Sequence, residues 1–221
     1  MLNMLINGNF ADAGTFLLAG AFIVLVALPI HELAHAFVAF KLGDSTAKDM
    51  RRLTLNPISH LDPVGSVLIL LFGFGWAKPV PINMNNFRNP KQGMAISALA
   101  GPVSNVLVSF IVLTLFIIVA KFGLVGINTA GALSAFFFYA IMINLWLAAF
   151  NLIPLPPLDG SHILKSFLST RAYYKFSQYE QYSFIIVLVL LMTGILSKPI
   201  MFISDGLYSL ITFPYELLGI L

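Results

Sequence analysis

TFLLAGAFIVLVALPIHELAHAFVAFKL, residues 15–42, is an apolar run with two histidines and a glutamate in its second half. It is long enough to cross a bilayer, since about 20 residues at 1.5 Å each span the hydrocarbon. On an α-helix His31 and His35 stack on one face, a turn apart, where both imidazoles reach a single Zn²⁺. Glu32 then stands beside the metal, a carboxylate able to take a proton from an attacking water. That combination names metal-assisted hydrolysis. His-Glu-x-x-His has three fixed positions and arises by chance in soluble helices. In a membrane helix an ionisable side chain costs about 2.5–3.5 kcal/mol on insertion scales, so a cluster of them needs a compensating partner such as a metal.

Composition supports the membrane setting independently. The chain is 59% hydrophobic and only 10% charged, against about 25% charged residues in soluble domains. Its 221 residues suit one membrane-embedded unit, residues 1–221, with no room for a sizeable soluble domain beside it. With no cysteine, disulfides, thiolate ligands and thiol nucleophiles are excluded. The formal net charge is +3, and the basic residues fall in loops between apolar runs rather than in a stripe, so no nucleic-acid partner is expected. Met1 to Ala13 has no basic n-region, and no cleavable signal peptide is expected.

The expected fold is an all-α polytopic membrane protein, a bundle of about five to six transmembrane or re-entrant helices with short interfacial strand-like loops. Full spans are expected over 15–42, 94–120, 130–153 and 182–196, with a less certain one over 199–221 that carries Asp205, Pro214 and Glu216. Residues 64–74 are apolar but short, which suits a re-entrant segment. Met50 to Leu55 reads as a short interfacial strand, and Pro79 to Ile82 as an extended stretch.

If the first span ends in the cytoplasm, Lys41, Lys48, Arg51, Arg52, Lys78, Arg88, Lys91, Lys165, Arg171 and Lys175 lie inside, and only Lys121 and Lys198 outside. His35 is then about 9 Å along its helix from Lys41, inside the membrane but towards the cytoplasmic side. Hydrolytic zinc usually takes three protein ligands and keeps one open position. Apart from the carboxy-terminal segment, Asp159 is the remaining acid beside an apolar span, and the third span delivers it to the side that holds His35. Pro154, Pro156 and Pro157 keep the chain before it extended, and Gly160 permits a tight approach after it. Taken alone, Asp159 also suits the cap of a helix beginning near Ser161.

HELAH in a membrane helix, followed by AGPVSNV (Ala100 to Val106) and FNLIPLPPLDG (Phe150 to Gly160), resembles the site-2 proteases, zinc-dependent intramembrane proteases. The resemblance covers nearly the whole chain, and its two main motifs lie about 125 residues apart. LNPISHLDPVG (Leu55 to Gly65) and GWAKPVP (Gly75 to Pro81) look like those of a compact prokaryotic branch without a PDZ insertion or a regulatory domain. The resemblance implies one Zn²⁺ per chain held by His31, His35 and Asp159, with Glu32 as catalytic base. It implies for Asn151 a role in steadying the tetrahedral intermediate or the substrate backbone. The partners it implies are a transmembrane protein substrate and the lipid bilayer.

Other residues carry two readings each. His60 suits an interfacial turn or the surroundings of the metal, and His162 a helix start facing headgroups or a place near the zinc. Ser97, Ala100, Gly101 and Ser104 have small-xxx-small spacing, which permits close packing against the HELAH helix. Pro29 either opens that helix near the metal or merely kinks it. A substrate helix must unwind before attack, and Met50 to Leu55 or Pro79 to Ile82 can hold it as an added β-strand. The rival classes are a membrane zinc or ion transporter, which would usually show internal repeats, and a non-catalytic binding subunit, which would most simply have lost Glu32 or a ligand.

Overall fold

Pro29 shapes the first span. Lacking an N–H and crowding the carbonyl of Leu25, it cannot continue a regular helix. Helix α1 (Phe10–Phe22) therefore widens into a π-helical turn over Ile23–Ala27 before α2 (Leu28–Lys41), and the Leu28 N–H reaches back to the Ile23 carbonyl. The opening re-phases the helix just ahead of His31. A computed structural model describes residues 10–72, 75–123 and 127–220 of the chain. Every regular element among them is helical.

Three helices are long and apolar enough to cross a membrane: Phe10–Lys41, Pro90–Lys121 and Gly131–Asn151. The first begins five residues earlier than expected. The second is α4 (Pro90–Lys121), capped by the Asn89 side chain and running through Pro102, and the third belongs to α5 (Ile127–Asn151). Between α2 and α4 lies α3 (Pro63–Phe72). At 10 residues it reaches about 15 Å, half the hydrocarbon thickness. Residues 73 and 74 of the expected re-entrant segment lie outside the described residues.

Two expectations are corrected. Met50 to Leu55 forms no strand, and no strand occurs among the described residues. The N–H groups of Arg51 and Arg52 turn back to the carbonyls of Lys48 and Ala47, with Arg51 at φ 55°, so they close a turn instead of offering a ladder. The expected span over 182–196 is only α8 (Ser183–Met192), too short to cross. It stops where the Thr193 hydroxyl bonds back to Val189 and Leu190 and Gly194 takes φ 72°. The segment Arg171–Met192 and α9 (Ser197–Leu217) together form a broken span or re-entrant loop, bent by 84°.

Between α5 and α8 run α6 (Asp159–Phe167) and α7 (Thr170–Gln178). The core gathers Ile23, Leu28, Val108, Ile141, Leu145, Ile211 and Tyr215 from the π turn, α2, α4, α5 and α9. Among lipid-like surroundings this packing relies on close van der Waals fit, which small residues allow. Accordingly Ser97, Ala98, Gly101 and Ser104 are buried on α4, and Ala36 and Ala39 on α2.

The turns beyond the end of α2 are tied by Asp44, which is fully buried. Its carboxylate accepts from the Thr46 N–H and hydroxyl, the Asn86 side-chain amide (2.7 Å) and the Asn83 N–H (2.7 Å). One carboxylate thus joins the turn after α2 to the turn that leads into α4.

Candidate metal centre

The π turn and α2 present His31 and His35 towards α4 and α6, and all three motif residues of the helix, His31, Glu32 and His35, are buried. The His35 Nδ1 meets the Ser97 carbonyl at 2.7 Å. Since a carbonyl only accepts, this nitrogen carries the proton, and the Nε2 lone pair is left free for a metal. The proline-broken stretch 152–158 brings Asp159 to the same point. Asp159 is the first residue of α6, not its cap: Leu158 holds the N-cap position, and the Asp159 carboxylate turns towards the imidazoles. Gly160 permits the approach, because a Cβ there would stand 2.5 Å from the Ile153 carbonyl oxygen.

Three potential donors converge. His31 Nε2 and His35 Nε2 lie 3.0 Å apart, and Asp159 Oδ2 lies 3.4 Å from each. Donors at about 2.0–2.1 Å from a tetrahedral zinc stand about 3.3 Å from one another, so the triangle has the edge lengths of one zinc coordination face. Asp159 Oδ2 is buried and makes no hydrogen bond of its own. Among the described residues His31, His35 and Asp159 are the one His/Cys/Asp/Glu group close enough to hold a metal ion. The donor set fits Zn²⁺ and leaves a position open.

Around the triad opens a cavity of about 680 Å³, lined by Glu32, Asn151, Trp76, Trp146, Phe150 and Phe184 among others. Glu32 lies in its wall, and its Oε2 accepts a 2.9 Å hydrogen bond from the Val80 N–H. Asn151, at the end of α5, faces the same space. His162 lines it too, and does not join the metal-binding group. Its imidazole lines the cavity, and burial and the nearby Lys165 charge push it below its ordinary value. His60 is fully buried, with Nε2 on the Thr54 carbonyl at 2.8 Å. It braces the loop rather than lying exposed in an interfacial turn.

Two contributions escaped sequence reasoning. The Val80 N–H is a backbone group that no motif announces. Gly101 was legible as a small packing residue, but not as the neighbour of the ligand rings themselves: a Cβ there would stand 2.5 Å from His35 Cε1 and 2.6 Å from His31 Cε1.

Residues 118–194 match Peptidase family M50, a stretch that holds Asn151 and Asp159. Over 171 residues the chain is 46% identical to YwhC of Bacillus subtilis (strain 168), by name a candidate zinc metalloprotease, an alignment that covers 77% of this chain and 78% of YwhC. The chain belongs to peptidase family M50. It is also 28% identical over 195 residues to Rip2 of Mycolicibacterium smegmatis, covering 81% of this chain and 70% of Rip2. With zinc metalloprotease MJ0392 of Methanocaldococcus jannaschii it shares 31% identity over 188 residues, 84% of this chain and 45% of that protein. No solved structure matches the chain significantly. As an M50 peptidase of the site-2 protease type it is an integral membrane zinc metalloprotease, and its substrates are proteins.

Proposed function

We propose that this M50 peptidase, as a single unit over residues 1–221, hydrolyses a peptide bond near the cytoplasmic end of a substrate's transmembrane segment. In this reading His31, His35 and Asp159 hold the zinc, Glu32 is the base and Asn151 a neutral hydrogen-bond donor. The observation that carries it is the meeting of two distant segments: the donors of α2 and α6 form one 3.0–3.4 Å triangle in the wall that also contains Glu32. Bound zinc supplies Lewis acidity towards the scissile carbonyl and the attacking water. Glu32 takes a proton from that water as its oxygen bonds to the carbonyl carbon, then delivers it to the leaving nitrogen as the C–N bond breaks. In this reading Asn151, which lines the cavity, donates to the oxygen on which negative charge develops.

The rest of the cavity supports an apolar, unwound substrate. Trp76, Trp146, Phe150 and Phe184 offer aromatic surface to side chains from a membrane span. The ten basic residues on the side where the first span ends support a site towards the cytoplasm. The retained Glu32 and complete ligand set favour an enzyme over a non-catalytic subunit, and the absence of a fixed-period repeat in the sequence disfavours a transporter. The test uses purified enzyme and a single-span reporter protein with Gly-Asn near the cytoplasmic end of its span. Cleavage abolished by a chelator and restored by zinc is expected. Glu32→Gln should keep its zinc and lose cleavage by about 10³-fold or more; wild-type cleavage by that variant would remove Glu32 as the base.

A further inference from the structure

We infer that the Val80 N–H is a positioning group for Glu32, and that Arg52 and His60 set it in place from behind. The inference rests on Glu32 being the base. Val80 belongs to the segment 75–82 that walls the cavity opposite α2, and its N–H donates to Glu32 Oε2 at 2.9 Å across 48 residues of sequence. Glu32 follows His31 on α2 and lies in the wall of the same cavity. Its side chain has several rotatable bonds, and a base must be held to a fraction of an ångström to work efficiently. A hydrogen bond to one carboxylate oxygen fixes the plane of the group and leaves the other oxygen for the proton.

The segment that offers the N–H is itself clamped. Arg52 donates from one guanidinium nitrogen to the Lys78 carbonyl at 2.6 Å and the Pro79 carbonyl at 3.3 Å. The Lys78 N–H donates to the His60 carbonyl at 2.8 Å, and the buried His60 ring is anchored on Thr54. Both clamps act on backbone groups within two residues of Val80 and so hold the amide in place. Pro79 and Pro81 add fixed φ angles on either side.

The same geometry limits how substrate binds. Pro79 and Pro81 have no N–H, and the Val80 N–H is engaged by Glu32. Within 79–81 no N–H is free for an added β-strand, so a strand on the expected Pro79 to Ile82 would pair through carbonyls and Ile82.

Hydrogen exchange at the Val80 amide and single-turnover kinetics test this. At equal zinc content, Glu32→Ala should speed exchange at Val80 by about tenfold or more; unchanged exchange would overturn the contact. Val80→Pro removes the N–H, and Val80→Ala, which keeps it, is the reference. The Pro variant should show a kcat about 10- to 100-fold below the Ala variant, the range expected for loss of a hydrogen bond to a charged group, with KM within twofold and zinc unchanged. Equal kcat in the two variants would overturn the inference. Should Val80→Pro not fold, Arg52→Ala should lower kcat with zinc and KM kept, and Arg52→Lys, which can still donate to Lys78, should restore part of it. A kcat within twofold of wild type in Arg52→Ala would then be decisive against it. Wild-type cleavage by Glu32→Gln would instead remove the base itself, a separate failure.

Discussion

Gly101→Ala adds one methyl group directly against the two ligand imidazoles. Two effects compete. Replacing glycine by alanine inside a helix normally favours the helix by about 1 kcal/mol. Against this, the new Cβ would lie 2.5 Å from His35 Cε1 and 2.6 Å from His31 Cε1, and closer still to His35 Nε2. Ordinary carbon contacts sit at about 3.5–4.0 Å, so the rings and α4 must separate by about 1 Å. Neither ring yields freely: His35 is held on the Ser97 carbonyl, which lies on the same helix as Gly101, one turn earlier. Overpacking of this kind costs about 1–3 kcal/mol and outweighs the gain in propensity. The larger consequence falls on the metal, because ligand distances are held to about ±0.2 Å and a 1 Å misplacement costs about 100-fold in rate. Zinc affinity should fall at least about tenfold and kcat/KM about 100-fold. Zinc competition against a chelator and reporter cleavage on the same preparation measure both. Gly206→Ala on α9 is the control, since a Cβ there has nothing within 4 Å and both quantities should stay at wild type. Full zinc affinity with wild-type cleavage in Gly101→Ala would refute the reasoning, for it would mean that α2 and α4 separate without cost.

Asp159→Ala should weaken zinc binding as much as His35→Ala does, because each removes one of three donors; equilibrium zinc competition compares them, and undiminished affinity in Asp159→Ala would leave the residue a purely structural role. Burial pushes the Asp44 carboxyl up, and the hydrogen bonds from Thr46, Asn86 and Asn83 overcome this and hold it below the ordinary carboxylate range. Its contribution is thus fully present above that range and is lost as pH falls through the depressed folded value. Asp44→Asn should cost about 2–3 kcal/mol near neutral pH, and the gap in melting temperature between it and wild type should narrow on acidification; a gap independent of pH would show that the charge is not what stabilises. Reporter products mapped by mass spectrometry should end near the cytoplasmic end of the substrate span, and Gly in place of Leu at the scissile position should raise the rate by making unwinding easier. Cuts near the outer face would reverse the assigned orientation.

The centre was legible in the sequence because its signals are local and unlike their surroundings. The spacing of His31 and His35 is one helical turn, ionisable groups in apolar runs are costly, and three prolines before Asp159 exclude the helix that would carry it elsewhere. Segment lengths were less legible. An apolar run states how much chain prefers lipid, but not whether it continues straight, and α8 ends where a threonine hydroxyl competes for helix carbonyls and Gly194 adopts a left-handed φ. Likewise the strand-like composition of Met50 to Leu55 yielded to turn bonds from Arg51 and Arg52 to the carbonyls of Lys48 and Ala47.

The stretch Pro79-Val80-Pro81 combines an extended backbone with very few hydrogen-bond donors. Its prolines do make it extended, and extended chain beside a protease site suggests strand addition. Yet strand addition needs donors, and prolines on both sides of Val80 leave a single N–H in three residues. A lone donor at the edge of an apolar cavity is costly to leave unpaired, and the nearest strong acceptor is a carboxylate rather than a substrate carbonyl that is present only during turnover. In the fold that acceptor is Glu32 Oε2. The prolines around Val80 therefore do two things at once: they remove the hydrogen bonds that would divert this segment into a sheet, and they reserve its one remaining donor for the base.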